Sequence, residues 1–348
     1  MGEPDGHNLH HQLAAWYRER KRDLPFRHTR DPYAILVAET VLQRTRVKAG
    51  LPYYGRFLEA FPTIRALAAS SEAGVLRVWE GLGFYGRARN LLRAAKVAVE
   101  RHGGELPADV ESLRALPGIG EYTAGAVGSI AFGLPVPAVD GNASRVLSRI
   151  YRVEEDVSRG SGKRRIRALA AALVPLDAPG EWNQALMELG ATVCVPKSPK
   201  CALCPVSGEC MAFAGGVQDS VPRTAAKSSV PIVPVAFVVA RKGNSVLLVR
   251  RHSGLHAGLY GLPGGQVEPG ETAEAGLRRH LRALGIRAPA FESLGRVHHA
   301  FSHLRWEGTA YRCRGYGTPE GAEWVPVDRI GVLPLVPLHR RLVAQATR

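Results

Sequence analysis

The sequence predicts an all-α domain followed by an α+β domain, and three observations carry that prediction. Apolar residues recur at helical spacing from residue 9 to about 214, with no strand-like alternation before about residue 230. Four of the five cysteines fall within 194–210. A polar stretch containing Gly, Pro and Ser then gives way to paired runs rich in Val and Leu. The expected boundaries are a helical domain over 1–214, a linker over 215–232 and an α+β domain over 233–348.

At 348 residues the chain is long enough for two or three domains, each with its own core. Hydrophobic residues make up 45% and charged ones 22%, which excludes a disordered chain. Net charge is +15 and the isoelectric point is near 10.0, so a polyanionic partner is expected. No apolar run reaches the roughly 18 residues of a membrane span, and the start, MGEPDGHNLHHQ, has no apolar signal core. The expected setting is a reducing bacterial cytoplasm, at the nucleoid, where clustered cysteines point to metal rather than to disulfides.

In chain order, Leu13, Trp16 and Tyr17 place a helix over 9–22, ended by Leu24-Pro25. Asp31-Pro32 starts a largely apolar helix expected over 33–47, with Glu39 in its middle. A carboxylate among Val37, Ala38 and Val41 is costly to bury unless paired or protonated; otherwise it lies on the polar edge of the helix. Short amphipathic pieces follow at 51–61, 64–69 and 74–79. Gly81-Leu82-Gly83-Phe84-Tyr85-Gly86 then spaces two rings beside Arg87 and Arg89. Exposed, such rings wedge into a base stack; buried, they are ordinary core.

Leu116-Pro117-Gly118-Ile119-Gly120 is a turn between two helical patterns, the second over 122–132. Gly118 and Gly120 allow a ligand close to the main chain, and the helix start behind them offers N–H groups to a phosphate. Asp140 and Asn142 follow one helix later, before a helix over 143–151 carrying Arg145 and Arg149. Gly162-Lys163-Arg164-Arg165 opens another helix, and a helix over 182–193 leads into the cysteine loop. There Cys194, Cys201, Cys204 and Cys210 are spaced x6-x2-x5, with Lys197 and Lys200 between them. Four thiolates at this density suit tetrahedral zinc or a [4Fe–4S] cluster. Beyond the linker, strands are expected at 235–240, 245–250, 297–300, 305–312 and 324–326, and a helix at 272–284.

Taken together these segments resemble one family. Ala38-Glu39-Thr40-Val41-Leu42-Gln43, Gly81 to Tyr85, Leu116 to Tyr122, Val139 to Asn142, the four cysteines and Phe301-Ser302-His303 occur in the order found in adenine DNA glycosylases of the MutY type. The resemblance spans nearly the whole chain. It implies a helix-hairpin-helix glycosylase domain with a [4Fe–4S] loop, then a Nudix-like domain, acting as a monomer on duplex DNA containing adenine opposite 8-oxoguanine or guanine. Glu39 would protonate adenine N7 and Asp140 would stabilise the oxocarbenium ion, assisted by Tyr122 and Asn142. Arg22, Leu24 and Arg27 match adenine-pocket positions; Gln43, Arg44, Phe84, Tyr85, Gly118, Gly120, Lys197 and Lys200 would meet DNA; Phe301, Ser302 and His303 would meet the 8-oxoguanine.

The sequence departs from that pattern at three places: Arg44 replaces a glutamine, Phe84 a tyrosine and Phe26 a tryptophan. Gly264-Gly265…Gly270-Glu271 resembles the start of a Nudix box, yet the following helix carries Arg278, Arg279 and His280 where paired glutamates would bind Mg²⁺, so nucleotide hydrolysis is not expected. Tyr122 stands where bifunctional relatives of the endonuclease III kind carry their Schiff-base lysine, which implies a monofunctional enzyme. Such a lyase, a Nudix pyrophosphohydrolase and a non-catalytic iron–sulfur DNA-binding module are the rival classes.

Overall fold

Local caps set the helices that carry the site. Asp31 accepts from the N–H groups of Tyr33 (3.0 Å) and Ala34 (3.3 Å), and Pro32 fits the first turn. Thr63, Ser71, Asp109, Asp140 and Thr272 cap their helices in the same way. The computed structural model describes residues 6–223, 229–252, 254, 257–301 and 304–347. In chain order the helices are α1 (Gly6–Arg20), α2 (Pro32–Leu42), α3 (Val47–Ala60), α4 (Ile64–Ala68), α5 (Glu72–Val78), α6 (Gly86–Arg101), α7 (Val110–Ala115), α8 (Glu121–Phe132), α9 (Gly141–Ile150), α10 (Gly160–Leu173), α11 (Pro179–Thr192), α12 (Met211–Ala214), α13 (Ala273–Ala283) and α14 (Pro337–Ala346). The strands are β1 (Ile232–Lys242), β2 (Ser245–Arg250), β3 (Tyr260–Gly261), β4 (Gly264–Gln266), β5 (Glu292–Ala300), β6 (Arg305–Arg314) and β7 (Ala322–Pro326).

Two compact units result, one of 1–69 with 90–227 and one of 70–89 with 228–348. In the first, Leu9, Leu13 and Tyr17 of α1 bury against Val146, Leu147 and Ile150 of α9 and Trp182, Leu186 and Leu189 of α11. This core holds α9 and α11 side by side, which places Asp140 and Glu188. α7 and α8 form the expected hairpin around Gly118, whose φ of 79° a side chain would strain and whose Cβ would strike Asn90. α2 is shorter than expected: it ends at Leu42, five residues before Val47, because Gln43 turns extended and Arg44 adopts φ 58°. Gln43 and Arg44 therefore sit on a turn, not a helix face.

In the second unit β1 is central, parallel to β6 and antiparallel to β2 and β4, in a sheet ordered β3-β2-β1-β6-β5 with β7 beside β2. Leu277 and Leu281 of α13, one turn apart, pack on Ala236, Val238 and Ala240 of β1. The strands and helix expected from sequence are all present. Residues 70–89 group with this unit, away from the rest of 1–214, for reasons of charge and packing. Glu80 takes a two-bond contact from Arg340 of α14 (2.5 and 2.7 Å), and Arg89 donates to the Ala257 carbonyl.

The segment before Asp140 is gripped from one side by α8. A Cβ on Gly125 would lie 2.1 Å from the Pro137 carbonyl oxygen. Gly125→Ala gains about 1 kcal/mol in helix propensity, but overpacking against backbone falls at the upper end of ~1–3 kcal/mol. The variant is expected to be net destabilised, read as a lower urea midpoint at unchanged m-value.

Candidate active site

A cleft of about 870 Å³ runs through the first unit, lined by Gln43, Gly118, Gly120, Tyr122, Asp140, Arg145 and, from α10, Lys163 and Arg167. Hairpin glycines, Tyr122, Asp140 and basic side chains thus share one open groove, and Glu39 lies behind its wall on Tyr122. The Tyr122 hydroxyl donates to Glu39 Oε2 at 2.5 Å and also lies 3.3 Å from Met187 Sδ. Glu39 keeps a rim of exposed area, while burial among α2 neighbours pushes its pKa up to about 7. The Tyr122 bond opposes that rise and the nearby Asp140 charge adds to it. Glu39 is accordingly neither a surface carboxylate nor a buried unpaired one.

Asp140 caps α9. Its Oδ1 accepts from the N–H groups of Asn142 (2.9 Å) and Ala143 (2.7 Å), and Oδ2 accepts from Asn142 Nδ2 (2.8 Å). Burial raises its pKa, and these three donors, with Arg145, work the other way by favouring the charged form. The two carboxylates are therefore held in different ways: Glu39 by apolar walls and one hydroxyl, Asp140 by amide donors.

Two residues essential to this geometry carry no signal in the sequence. Asn183 of α11, 1% exposed, clamps the segment that leads to Asp140: Oδ1 accepts from Ala138 N (3.0 Å), and Nδ2 donates to Val136 O and Ser129 Oγ (both 2.9 Å). Glu188, one turn further along α11, is fully buried. It accepts from Arg22 N (3.0 Å), Nε (2.8 Å) and NH2 (2.8 Å) and from Arg27 NH2 (2.6 Å). Burial alone would raise its pKa; the Arg22 and Arg27 bonds win and bring it to about 2. Arg27 has a 7% exposed side chain and a buried Nε with no partner among the described residues. Leu24, between the two arginines in sequence, is buried. An Asn and a Glu within a helical pattern look like ordinary surface residues until the fold places α11 between α1, α8 and α9.

The predicted DNA contacts divide. Gln43 lines the cleft and donates to Thr123 Oγ1 at 3.2 Å. Arg44 and Phe84 are two of the four non-glycine residues with positive φ among those described, at 58° and 49°; Ser198 in the cysteine loop is another. Such conformations cost roughly 1–3 kcal/mol each and persist where surroundings impose them. Phe84 is 38% exposed, with Arg87 5.3 Å from the ring centroids of both Phe84 and Trp79. Of the two readings open for these rings, Tyr85 takes the buried one: it is 4% exposed, and its hydroxyl accepts from Gly81 N at 3.4 Å, so it shapes the loop from inside rather than meeting DNA. Lys197 and Lys200 are exposed. Phe301 is half-buried, edge-on to Trp306 at 4.7 Å; Ser302 and His303 lie outside the described residues.

Cys194, Cys201, Cys204 and Cys210 line a single cavity walled by Val146, Ile150, Leu189 and Val193. Arg149 reaches it, donating to Cys194 Sγ (3.3 Å) and to the Val195 and Pro196 carbonyls, while Arg145 donates to Cys194 O (2.8 Å) and to Asn142 Oδ1 (2.8 Å). Among the described residues no group of three or more His, Cys, Asp or Glu side chains is placed to hold a metal ion. Burial pushes the Cys204 thiol up to about 12. Four thiols around one apolar cavity with a guanidinium alongside fit a ligand set for a multi-atom cluster.

Fold and site define a class: a helix-hairpin-helix DNA glycosylase joined to a Nudix-like domain. Residues 37–176 match the family model of the HhH-GPD superfamily base excision DNA repair proteins, and residues 235–345 match that of the NUDIX domain. Adenine DNA glycosylase of Homo sapiens is 35% identical over 377 residues, covering 90% of this chain and 69% of that protein. The chain belongs to the adenine DNA glycosylase family and is a DNA N-glycosylase of base excision repair. Among solved structures, a thermostable thymine-DNA glycosylase is 29% identical with TM-score 0.54, over 60% of this chain and 97% of that one. An endonuclease III trapped as a covalent intermediate with DNA shares the fold, at 23% identity and TM-score 0.51 over 61% and 98%.

Glu39 has a stability signature. Its pKa is raised from 4.5 to about 7, so folding favours the protonated form. Its contribution is intact below pH 4.5 and is lost as pH rises through 7. Glu39→Gln is therefore expected to be more stable than the parent at pH 8, by on the order of 1–3 kcal/mol, with the gap closing towards pH 4. Paired urea titrations at the two pH values check this; a gap that widens on acidification contradicts the assignment.

Proposed function

We propose that the chain excises adenine opposite 8-oxoguanine, and opposite guanine, as a monofunctional glycosylase. The observation that carries the mechanism is the Glu39–Tyr122 contact beside a capped Asp140. The target adenine leaves the stack, since its reactive edge is inaccessible in a duplex. Arg27 and Arg22, braced by Glu188, border its pocket with Leu24. Protonated Glu39, oriented by Tyr122, gives its proton to adenine N7, and the C1′–N9 bond breaks with the electron pair leaving on the base. Asp140, oriented by Asn142, stabilises the cationic sugar until water adds at C1′ and leaves an abasic site. Because Tyr122 has no amine, it forms no imine with the sugar. Gly118, Gly120, Gln43, Arg44, Phe84, Lys197 and Lys200 hold phosphates and fill the stack.

The cysteine cavity is proposed to hold one [4Fe–4S] cluster, with Cys194, Cys201, Cys204 and Cys210 as ligands and Arg145 and Arg149 fixing the loop around it. The cluster's contribution is to shape that loop, which carries Lys197 and Lys200, for phosphate contact. Purified protein should then contain about four irons and four acid-labile sulfides per chain. Zinc in their place would overturn the reading.

In single turnover on A:8-oxoguanine duplex, excision is expected to fall as pH rises through about 7, following Glu39. Glu39→Gln should bind the mispair and lose at least 10²-fold in rate, the usual scale of general acid catalysis. Strand scission should appear only after alkali. Borohydride trapping of the parent would contradict monofunctional action, and Lys163→Ala would then test the one lysine that lines the cleft among the described residues.

Phe301, Ser302 and His303 are proposed to sense the lesion, whose N7 carries a donor that guanine lacks. Truncation at the linker is a poor test, because 70–89 packs with the second unit. Replacing all three by alanine should instead lower preference for A:8-oxoguanine over A:G by about 1–3 kcal/mol. Unchanged discrimination in single-turnover rates would remove these residues from recognition.

A further inference from the structure

The second unit has a cleft of about 710 Å³ that excision does not use. It is lined by Arg241 and Lys242 at the end of β1, Arg312 and Arg314 at the end of β6, and the rings of Phe291 and Tyr316. Among the described residues one carboxylate lines it, Glu292, and it is already committed to Arg312 through a two-bond pair. Among the described residues Lys242 and Arg314 form no ion pair, and the buried Nε of Arg241 has no partner. Tyr316 is 53% exposed, and its backbone is fixed by a reciprocal bridge to Arg287 (2.9 and 3.0 Å). Phe291 is backed by Arg278, whose guanidinium lies 4.8 Å from the ring centroid and is itself held by the Ala288 carbonyl at 2.8 Å.

Clustering like charges around one cleft is unfavourable without an anion to share them. Guanidinium and ammonium groups spaced around a flat ring match a phosphate joined to a base: cations take the phosphate, and the ring takes the base face. A volume of this size accommodates one or two nucleotide units. The site is also separate from Phe301: the cleft lies where β5 begins and β6 ends, while Phe301 follows the last residue of β5, and β6 from Arg305 to Arg314 spans about 30 Å at ~3.3 Å per residue.

We propose that this cleft is a second nucleic-acid-type site that binds a nucleotide unit, with its phosphate on Arg241, Lys242 and Arg314 and its base on Tyr316. The same chemistry is offered by a free nucleoside triphosphate and by a single strand of DNA. The test uses the full chain saturated with a duplex whose mispaired adenosine cannot be cleaved, which blocks the excision groove. Fluorescent ATP and a fluorescein-labelled dT octamer are then titrated separately and followed by anisotropy. At least one should bind, more weakly as salt rises. Lys242→Glu with Arg314→Glu should weaken that binding at least tenfold, and Tyr316→Ala several-fold. Both variants should keep the parent's excision rate and melting temperature, which separates this site from the excision site. Binding of ATP alone assigns a free nucleotide, and binding of the octamer alone assigns a single strand. No binding of either probe to the duplex-saturated protein overturns the proposal, as does binding that the charge reversals leave intact. Equal capture of a labelled duplex with no loss in Tyr316→Ala would also overturn it, leaving a bare phosphate patch.

Discussion

The N-terminus of α9 is the constraint on which the rest of the excision site depends. Asp140 must cap that helix, and the same cap fixes where its carboxylate points. Three separate contacts hold the approach to it: Asn183 from α11, Gly125 from α8, and the core that packs α9 against α1 and α11. Further along α9, Arg145 and Arg149 reach the cysteine loop. One ten-residue helix thus sets the position of the Asp140 carboxylate at its start and of the cysteine loop towards its end. A side chain at Gly190 would strike Asn142, so α11 approaches this helix as closely as backbones allow.

Charge burial in the first unit follows two different solutions. Glu188 is stabilised as an anion by two arginines, and a carboxylate so satisfied is a poor proton donor near neutrality. Glu39 has one hydroxyl donor and apolar neighbours, which leaves it able to carry a proton near pH 7. The contrast separates a residue that positions its neighbours from one suited to acid catalysis. Both lie on helices whose sequences would allow either role.

In the second unit the helix that follows the box-like stretch carries Arg278, Arg279 and His280. Glu271, the surviving carboxylate of the box, is taken up by Arg279 in a two-bond pair, with Glu268 also facing that guanidinium. The scaffold also anchors the Phe84 loop through Glu80 and Arg340, so a stretch from early in the chain is shaped by its last helix.

Much of this was legible in the sequence. The helical first part and the sheet strands followed from periodicity, because a buried face must repeat at 3.6 or 2 residues whatever its partner. The hairpin glycines, Asp140 and the cysteine spacing were readable because backbone geometry and ligand number restrict residue type locally. What only the tertiary structure decided involves residues distant in sequence. Glu188 meets Arg22 across 166 positions and Asn183 meets Ala138 across 45, contacts that no local pattern encodes. The early end of α2 at Leu42, the burial of Tyr85 and the assignment of 70–89 to the second unit have the same origin. Sequence restricts what each residue type can do; its dielectric surroundings and partners, which determine whether a carboxylate is a brace or an acid, exist only after the chain has packed.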